Sequence, residues 1–272
     1  ALDANTTGSN NVGLGRDALG ANTTASYNTA VGYQSLYSNT TGANNVSIGG
    51  LSLDANTTGD QNVAVGTSAL GALTAGDKNV AIGNSALGQF NVTDGSETFN
   101  TAVGYAAGGA VTTGIKNTLI VGAYALQVAN STSDSDVYNT AVGYNAGGTL
   151  STGIHNTLIG GLAGDALTVG HRNVAVGKDA LTANVGGAKN IAIGEGSLST
   201  FNSGSSASDT YNTAVGHFAG GSVTTGTQNT LIGALAGDAL TTGGLTAVGY
   251  NAGGSATSSI GNICIGELAG AL

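Results

Sequence analysis

The sequence predicts an all-β fold, a parallel β-solenoid of about 15 coils with a 17-residue period, and three observations support this class. A five-residue motif recurs along the whole chain of 272 residues. The motif is rich in β-branched and small residues, which favour strands and tight bends over helices. The chain contains 48 Gly and no Pro, yet lacks the three-residue glycine period of collagen. Since so short a repeat cannot hold two helices and their turns, each repeat is predicted to form one coil of a solenoid.

The motif begins with an asparagine, the anchor, from which we number the positions of each coil. Position +1 is Val, Thr or Ile, +2 is small or apolar, +3 is aliphatic and +4 is Gly in every coil except that of Asn117, where it is Val121. Ten of the fourteen intervals between successive anchors equal 17, and the others are 16, 21, 22 and 22. Leu245 replaces the asparagine once; the other anchors are Asn11, Asn28, Asn45, Asn62, Asn79, Asn100, Asn117, Asn139, Asn156, Asn173, Asn190, Asn212, Asn229 and Asn262.

Positions +1 to +3 are predicted to form a short strand. Because side chains alternate along a strand, +1 and +3 share one face and +2 lies on the other. We expect +1 and +3 to face the core of the coil and +2 to face outward. A strand that is apolar on both faces needs a covering layer on each, so the +2 column becomes a candidate interface.

Other positions of the coil also predict packing. The glycine at +4 suits a bend with positive φ or a close approach of backbones. Position +7 is Ala or Ser, which indicates a narrow interior. Positions +8 and +11 exchange volume in most coils, because Leu at +8 accompanies Asn at +11, as in Leu36 and Asn39, whereas Gly at +8 accompanies Val or Leu, as in Gly164 and Leu167. The exceptions are Leu70 with Leu73 and Gly253 with Ala256. We expect two strands per coil, a ladder of stacked anchor amides, and a second turn with a hydroxyl ladder at the Thr-Thr-Gly segments.

Composition and charge exclude several classes of protein. Only 8% of residues are charged, and 15 acidic residues against 6 basic ones give a net charge of −9. Nucleic acid is not expected as a partner, since phosphate binding needs clustered Lys and Arg. No apolar run is long enough for a transmembrane helix, so no direct membrane insertion is expected. Residues 1–272 are predicted to form a single solenoid domain, and half-coils at both ends suggest a segment of a longer fibre.

The segments Asn28–Gly49 and Asp60–Gly88 resemble known repeats. Their shared pattern, N-[VT]-A-[VI]-G-x-x-[AS], is similar to the head repeats of trimeric autotransporter adhesins and to the long repeat arrays of phage-type tail-fibre proteins. The resemblance covers essentially the whole chain. It implies a left-handed parallel β-roll, a homotrimer, and display outside the cell or on a virion, where such proteins attach to surfaces. The period of 17 differs from the shorter period of the adhesin heads.

No motif in the sequence indicates catalysis, and we predict that the protein is not an enzyme. His155, His171 and His217 occupy separate coils and have no carboxylate or cysteine at a metal-ligand spacing, so they are interpreted as surface or turn residues. The glycines recur in every coil, which indicates bends and not a phosphate-binding loop. No cofactor is predicted.

Three long intervals, residues 89–99, 127–138 and 199–211, interrupt the regular repeat. Insertions in repeat proteins form surface loops that often belong to the binding face. Contact with a receptor or glycan, Ca²⁺ capture at residues 133–136, and a tolerated surface bulge all remain open interpretations. The candidate contact residues are Phe90, Asp94, Glu97, Asp134, Asp136, Phe201 and Asp209.

The +2 column is the candidate trimer interface, because a lone solenoid would expose it as an apolar stripe. Closing three copies about one axis would bury that stripe. Its members are Ala30, Ala64, Ala81, Ala102, Leu119, Ala141, Leu158, Ala175, Ala192, Ala214, Leu231, Ala247 and Cys264.

The function predicted from these features is that of a structural fibre or adhesin shaft. A rigid trimeric rod, outside the cell or on a virion, would attach to surfaces or present a receptor-binding tip, with a cell-surface glycan or protein as receptor. The alternatives are a solenoid face that binds ice or glycan, and a filament built by end-to-end stacking. Against ice binding, the threonine pairs vary along the chain, as at Thr74-Ala75 and Thr168-Val169.

Overall fold

A computed structural model describes residues 1–113, 119–128 and 137–271. In this part of the chain the regular elements are β-strands and the remainder is turns and bends. It contains no apolar helix of membrane-spanning length. The chain divides into two compact units, Ala1–Tyr138 and Asn139–Leu272.

The described residues of the first unit form seven strands of three residues each, which pair in parallel and in chain order. They are β1 (Val12–Leu14), β2 (Thr29–Val31), β3 (Val46–Ile48), β4 (Val63–Val65), β5 (Val80–Ile82), β6 (Thr101–Val103) and β7 (Leu119–Val121). Equivalent positions of successive coils are partners, as in Ala30 with Ser47 and Ser47 with Ala64. The predicted parallel β-solenoid is therefore confirmed.

The second unit repeats this arrangement. Its main sheet has the order β8, β9, β10, β12, β14, β15, β16, β17, and a second sheet pairs β11 with β13. The strands are β8 (Thr140–Val142), β9 (Thr157–Ile159), β10 (Val174–Val176), β11 (Gly187–Ala188), β12 (Ile191–Ile193), β13 (Ser208–Asp209), β14 (Thr213–Val215), β15 (Thr230–Ile232), β16 (Thr242–Val248) and β17 (Ser258–Ile265). The expectation of two strands per coil is wrong for most described coils, which have one strand each and otherwise turns.

The anchor asparagines bind within a coil and between coils. The Asn45 side-chain amide nitrogen donates a hydrogen bond to the carbonyl of Gly59 at 2.8 Å. Its Oδ1 accepts from the backbone N–H of Asn62 in the next coil at 2.9 Å. The same two bonds occur at Asn156 in the second unit. The expected ladder exists, and its most regular link joins a side-chain oxygen to a backbone N–H. Direct amide-to-amide bonds accompany this link at some anchors, as from Asn173 to Asn156 at 3.2 Å and from Asn229 to Asn212 at 2.9 Å.

A backbone pairing replaces this ladder where leucine occupies the anchor slot. Leu245 has no side-chain amide, and here β16 and β17 extend to seven and eight residues. Their pairing runs from Thr242 opposite Ser258 to Val248 opposite Ile265, with an irregularity between Gly244 and Leu245. The peptide groups that an asparagine would otherwise hold are thus paired strand to strand.

The Thr-Thr-Gly turns carry the predicted hydroxyl ladder. In the first unit the hydroxyl of Thr23 donates to the carbonyl of Thr40, that of Thr40 to Thr57 and that of Thr57 to Thr74, at 3.0 to 3.3 Å. The first threonine of each pair is therefore bonded to the next coil.

The interior of each coil is lined by positions +2, +7, +8 and +11. Ala64, Ala69, Leu70 and Leu73, which occupy these positions in one coil, have no exposed surface. The hydroxyl of Ser35 at +7 donates to that of Ser47 at +2 across the interior, at 2.7 Å. Columns +2 and +7 therefore face each other, and the space between these two serines admits only small side chains.

The predicted exchange of volume between positions +8 and +11 holds for coils such as that of Gly164, but not where Leu70 and Leu73 are both buried, and the exchange also involves +2. A Cβ placed on Gly164 at +8 would lie 2.8 Å from a methyl of Leu167 at +11 and 2.9 Å from one of Leu158 at +2. Position +8 has a φ near +60° whether it is Gly164 (+57°) or Leu70 (+50°). Its backbone is thus left-handed in both coil types. The coils differ only in which positions supply the large side chains that fill the core.

This exchange predicts a compensated double substitution in the coil of Asn62. We expect Ala64→Leu to destabilise the protein by about 1–3 kcal/mol through overpacking, and Leu70→Gly by about 3–5 kcal/mol through a cavity. Together they recreate the combination of Leu158, Gly164 and Leu167. The double variant should therefore lose at least about 1 kcal/mol less stability than the sum of the two single losses. Urea unfolding of all four proteins measures this coupling, and additive effects would contradict it.

Candidate functional site

The candidate interface column at +2 lies inside the coil, and the prediction that it faces outward is wrong. The physical reason is size, because so short a coil leaves little room behind its strand, while the bulkier +1 and +3 side chains fit outside. No surface is exposed on Ala30, Ala64, Ala81, Ala102, Ala141, Leu158, Ala175, Ala192, Ala214, Leu231 and Ala247. Leu119 is 36% exposed because an extra residue places Ile120 in the core instead, and Cys264 is partly exposed.

The outward surface is instead made by positions +1 and +3, which we call the sheet face. Ile48 and Ile82 are each 40% exposed in the first unit, and Ile159 and Ile232 are 38% and 41% exposed in the second. The residues of both columns are Thr, Val, Ile or Leu, so the sheet face carries no ionisable side chain. Sequence reasoning missed this face, because a strand that is apolar on both sides does not indicate which side is inside.

Positions −1 and +5 border the sheet face, and all six Lys and Arg residues of the sequence occupy them. Three of these cations lie over an aromatic ring at the equivalent position of the next coil. Arg16 is 5.4 Å from the ring centre of Tyr33, Lys78 is 5.2 Å from that of Phe99, and Lys189 is 5.1 Å from that of Tyr211. Such cation–π contacts stabilise adjacent coils.

One of the predicted loop residues, Asp209, belongs to a charged cluster. Its carboxylate accepts hydrogen bonds from the Lys189 ammonium group at 2.6 Å and the Tyr211 hydroxyl at 2.9 Å. These bonds hold the pKa of Asp209 below its usual value, and the same carboxylate raises the pKa of Lys189. The imidazole of His171 lies 4.0 Å from this carboxylate. Sequence spacing gave no sign of this histidine–carboxylate contact, because the two residues are brought together by stacked coils.

The structure separates the other candidate loop residues into core and surface. Phe90 and Phe201 are fully buried at position +11, so the prediction that they contact a receptor is wrong. Each of these coils is longer than the regular repeat and encloses a phenylalanine in addition to the leucine at +8. Asp94 and Glu97 are exposed, and Glu97 pairs with Lys78. Asp134 and Asp136 lie outside the described residues.

A buried threonine anchors two of the inserted loops to the core. The hydroxyl of Thr98 donates to Oδ1 of Asn79 at 2.8 Å, and that of Thr210 donates to Oδ1 of Asn190 at 2.8 Å. Both threonines lie two residues before an anchor, as Thr-Phe-Asn and Thr-Tyr-Asn. The loops are therefore fastened at their C-terminal ends, and only their middle residues are free of the core.

Limited proteolysis should distinguish these loops from the regular coils. We expect the first cuts of a broad-specificity protease in residues 93–95 and 203–207, since these segments are largely exposed and lack the coil-to-coil bonds of the repeat. The interval 127–138 is expected to behave likewise on sequence grounds. N-terminal sequencing of the fragments identifies the cut sites, and earlier cleavage within the strands or Thr-Thr-Gly turns would contradict this expectation.

The described part of the chain contains no group of three His, Cys, Asp or Glu residues placed to hold a metal ion. His155 and His217 are exposed and His171 is half-buried. A shallow groove of about 530 Å³ lies beside the second unit's sheet face, where positions −1 are Gly244 and Gly261. Thr227, Gln228 and Asn262 contribute to its lining, which holds no ionisable side chain. The groove therefore has no charge that would select an ion.

No protein-family model, curated protein or solved structure matches this chain. The structure itself establishes a repeating β-solenoid, and the role of its surfaces follows from their chemistry.

Proposed function

We propose that the chain is a structural shaft of a surface-attachment fibre, displayed outside the cell or on a virion and assembled as a homotrimer. The observation that carries this proposal is the bonding of coil to coil: anchor asparagines, threonine hydroxyls and strand pairs recur in successive coils of each unit. Such a fold resists bending and local opening, because each coil is held by several hydrogen bonds to its neighbour. A stiff, largely uncharged scaffold is suited to carrying contacts and not to chemistry.

The inserted loops are the part of this shaft that we propose contacts a cell-surface glycan or protein. They are exposed at Asp94, Glu97 and Asp209, while the regular coils vary little. Keeping the coil constant and varying the loop is how repeat scaffolds present binding residues without disturbing their cores.

A binding assay with loop variants tests this function. Beads coated with the purified chain are expected to adhere to a panel of cells and to glycan arrays, and the variant Asp94→Ala, Glu97→Ala should adhere less. Thr24→Ala, at an exposed turn in a regular coil, serves as the matched control. The proposed contact would be refuted if neither the unmodified chain nor the Thr24→Ala control adhered, or if the loop variant and the control adhered equally.

Ice binding is disfavoured by the threonine hydrogen bonds. The hydroxyls of Thr23, Thr40 and Thr57 donate to carbonyls of the next coil. Each turn therefore offers one exposed threonine, such as Thr41 or Thr58, and not two. Thermal hysteresis in a solution of the chain would overturn this conclusion.

A further inference from the structure

The sheet face of each unit is uncovered by any described residue and is bordered by aromatic residues in pairs. In the first unit, Tyr27 at −1 accompanies Tyr33 at +5 in one coil, and Phe99 accompanies Tyr105 in another. These four side chains are between 43% and 62% exposed. The sequence repeats the pairing at Tyr138 with Tyr144, and at Tyr211 with His217.

The two members of a pair lie on opposite borders of the face, and no ring contact joins Tyr27 with Tyr33 or Phe99 with Tyr105 within one chain. Six positions separate them, which corresponds to at most about 20 Å of extended backbone. The ring and cation–π contacts in this unit run along a border instead, as between Tyr105 and Tyr124, whose ring centres are 5.4 Å apart. Contacts along a border account for single members, as for Tyr33 beneath Arg16 and Phe99 beneath Lys78, but they do not link the two aromatic residues of one coil.

We infer that a second copy of this chain covers the sheet face, parallel to the first and with its coils in register. Rotation about an axis along the stacking direction brings the −1 border of one copy against the +5 border of the next at the same coil. Tyr27 then meets Tyr33 of a second copy, and Phe99 meets Tyr105 of a second copy. Paired aromatic rings contribute beyond the area that they bury.

The same pairs favour this arrangement of the copies over others, because only this one matches every aromatic pair. A shift by one coil would place Tyr27 against Arg16 or Gly50, and Phe99 against Asn84 or Ala123. An antiparallel arrangement would bring different coils together throughout. The aromatic pairs therefore specify one register between the copies. The rest of the face is a uniform repeat, along which a second copy could shift by whole coils.

Charges on the borders are compatible with this register. Lys189 at −1, which is paired with Asp209 of its own chain, would also meet Glu195 of a second copy at +5, an opposite charge. Arg172 would meet Lys178 of a second copy, but that lysine is already paired with Asp179 of its own chain. The Arg172 guanidinium would thus approach an ion pair and not an isolated cation.

The area of the face suits a stable contact between copies. Seven strands at about 4.8 Å spacing and a width of about 20 Å give roughly 600 Å² for the first unit, including its borders. A standard interface buries about 800 Å² per partner. One unit comes close to this value, and the second unit presents a sheet face of its own.

Cross-linking of paired positions tests the inference, which rests on the homotrimer of the proposed function. In a Cys264→Ser background, the double variant Tyr27→Cys, Tyr33→Cys is treated with oxidant and with a flexible bismaleimide, because the two positions can lie further apart than a disulfide tolerates. We expect covalent species of two and three chains on a denaturing gel. The matched control Tyr27→Cys, Tyr105→Cys joins different coils and should give at least tenfold less product.

A second pair of variants tests the face without cysteines. Ile48→Lys with Ile82→Lys should reduce the mass measured by light scattering to that of one chain, with an unchanged circular dichroism spectrum. Thr41→Lys with Thr58→Lys, at exposed turns away from the face, should leave the mass unchanged.

The outcomes separate this inference from the proposed function. A native chain that is monomeric at all concentrations overturns both the inference and the proposed homotrimer. An oligomeric chain without the 27–33 product, or with equal product in the 27–105 control, overturns the inference alone. Adhesion of coated beads is measured independently of either result.

Discussion

Gly49→Ala is expected to abolish cooperative folding of the first unit or to destabilise it by more than about 4 kcal/mol. Gly49 has a φ of +136°, and a Cβ there would lie 2.5 Å from the carbonyl oxygen of Gly66 in the next coil. The neighbouring atoms are backbone, so no side chain can move aside. Thermal unfolding followed by circular dichroism measures the loss.

The adjacent glycine provides a matched control. A Cβ on Gly50 would meet nothing closer than 3.9 Å, and its φ is not in the left-handed region. Gly50→Ala should therefore be neutral, or stabilising by about 0.4–1 kcal/mol through the unfolded chain. Gly160 and Gly161 offer the same comparison in the second unit, with contacts at 2.4 Å and none within 4 Å. Similar unfolding temperatures for the two variants of either pair would show that the glycine column is not required.

Asn62→Ala is expected to destabilise the protein by about 2–5 kcal/mol, because it leaves buried partners on both sides without hydrogen bonds. The Asn62 side chain donates to the carbonyl of Gly76 at 2.8 Å and accepts from the backbone N–H of Asn79 at 3.0 Å. Alanine removes both bonds, and also the one that the Asn79 side-chain amide donates to Asn62 Oδ1 at 3.0 Å. Bulk water does not reach their partners, since Asn62 has no exposed surface.

Chemical denaturation with an exposed control measures the cost of this loss. Thr58→Ala, at an exposed position of the preceding turn, should change the free energy of unfolding by less than about 0.5 kcal/mol. A comparable change in Asn62→Ala and Thr58→Ala would mean that the anchor asparagine can be replaced in a regular coil. At Leu245 a longer strand pairing takes its place.

Much of the fold could be predicted from residue spacing. The prevailing interval between anchors, the glycine at +4, the small residue at +7 and the exchange between Leu36-type and Gly164-type coils all correspond to observed contacts. These features were predictable because they are local to one coil and recur at a constant interval. The number of strands per coil was not, because the Thr-Thr-Gly segments form hydrogen-bonded turns and not a second strand.

The candidate surfaces were less predictable than the fold. Phe90 and Phe201 were assigned to loops because they lie in long intervals, yet their side chains fill the core and only the residues after them leave it. The contact of His171 with Asp209 joins residues that are distant in the sequence, on different coils. Contacts of this kind depend on which coils stack, and no local pattern reveals them.

The sequence by itself determined the repeat, its length, the positions of its bends and the absence of charge on both faces of the strand. Only the tertiary structure decided which face is inside. Alternation separates +2 from +1 and +3 but does not orient them, since all three are apolar or hydroxyl-bearing. The contact between Ser35 and Ser47 shows how narrow the interior is where leucine occupies +8. Because that space has no room for two further β-branched side chains per coil, the single +2 column packs inside and the +1 and +3 columns form the outer surface.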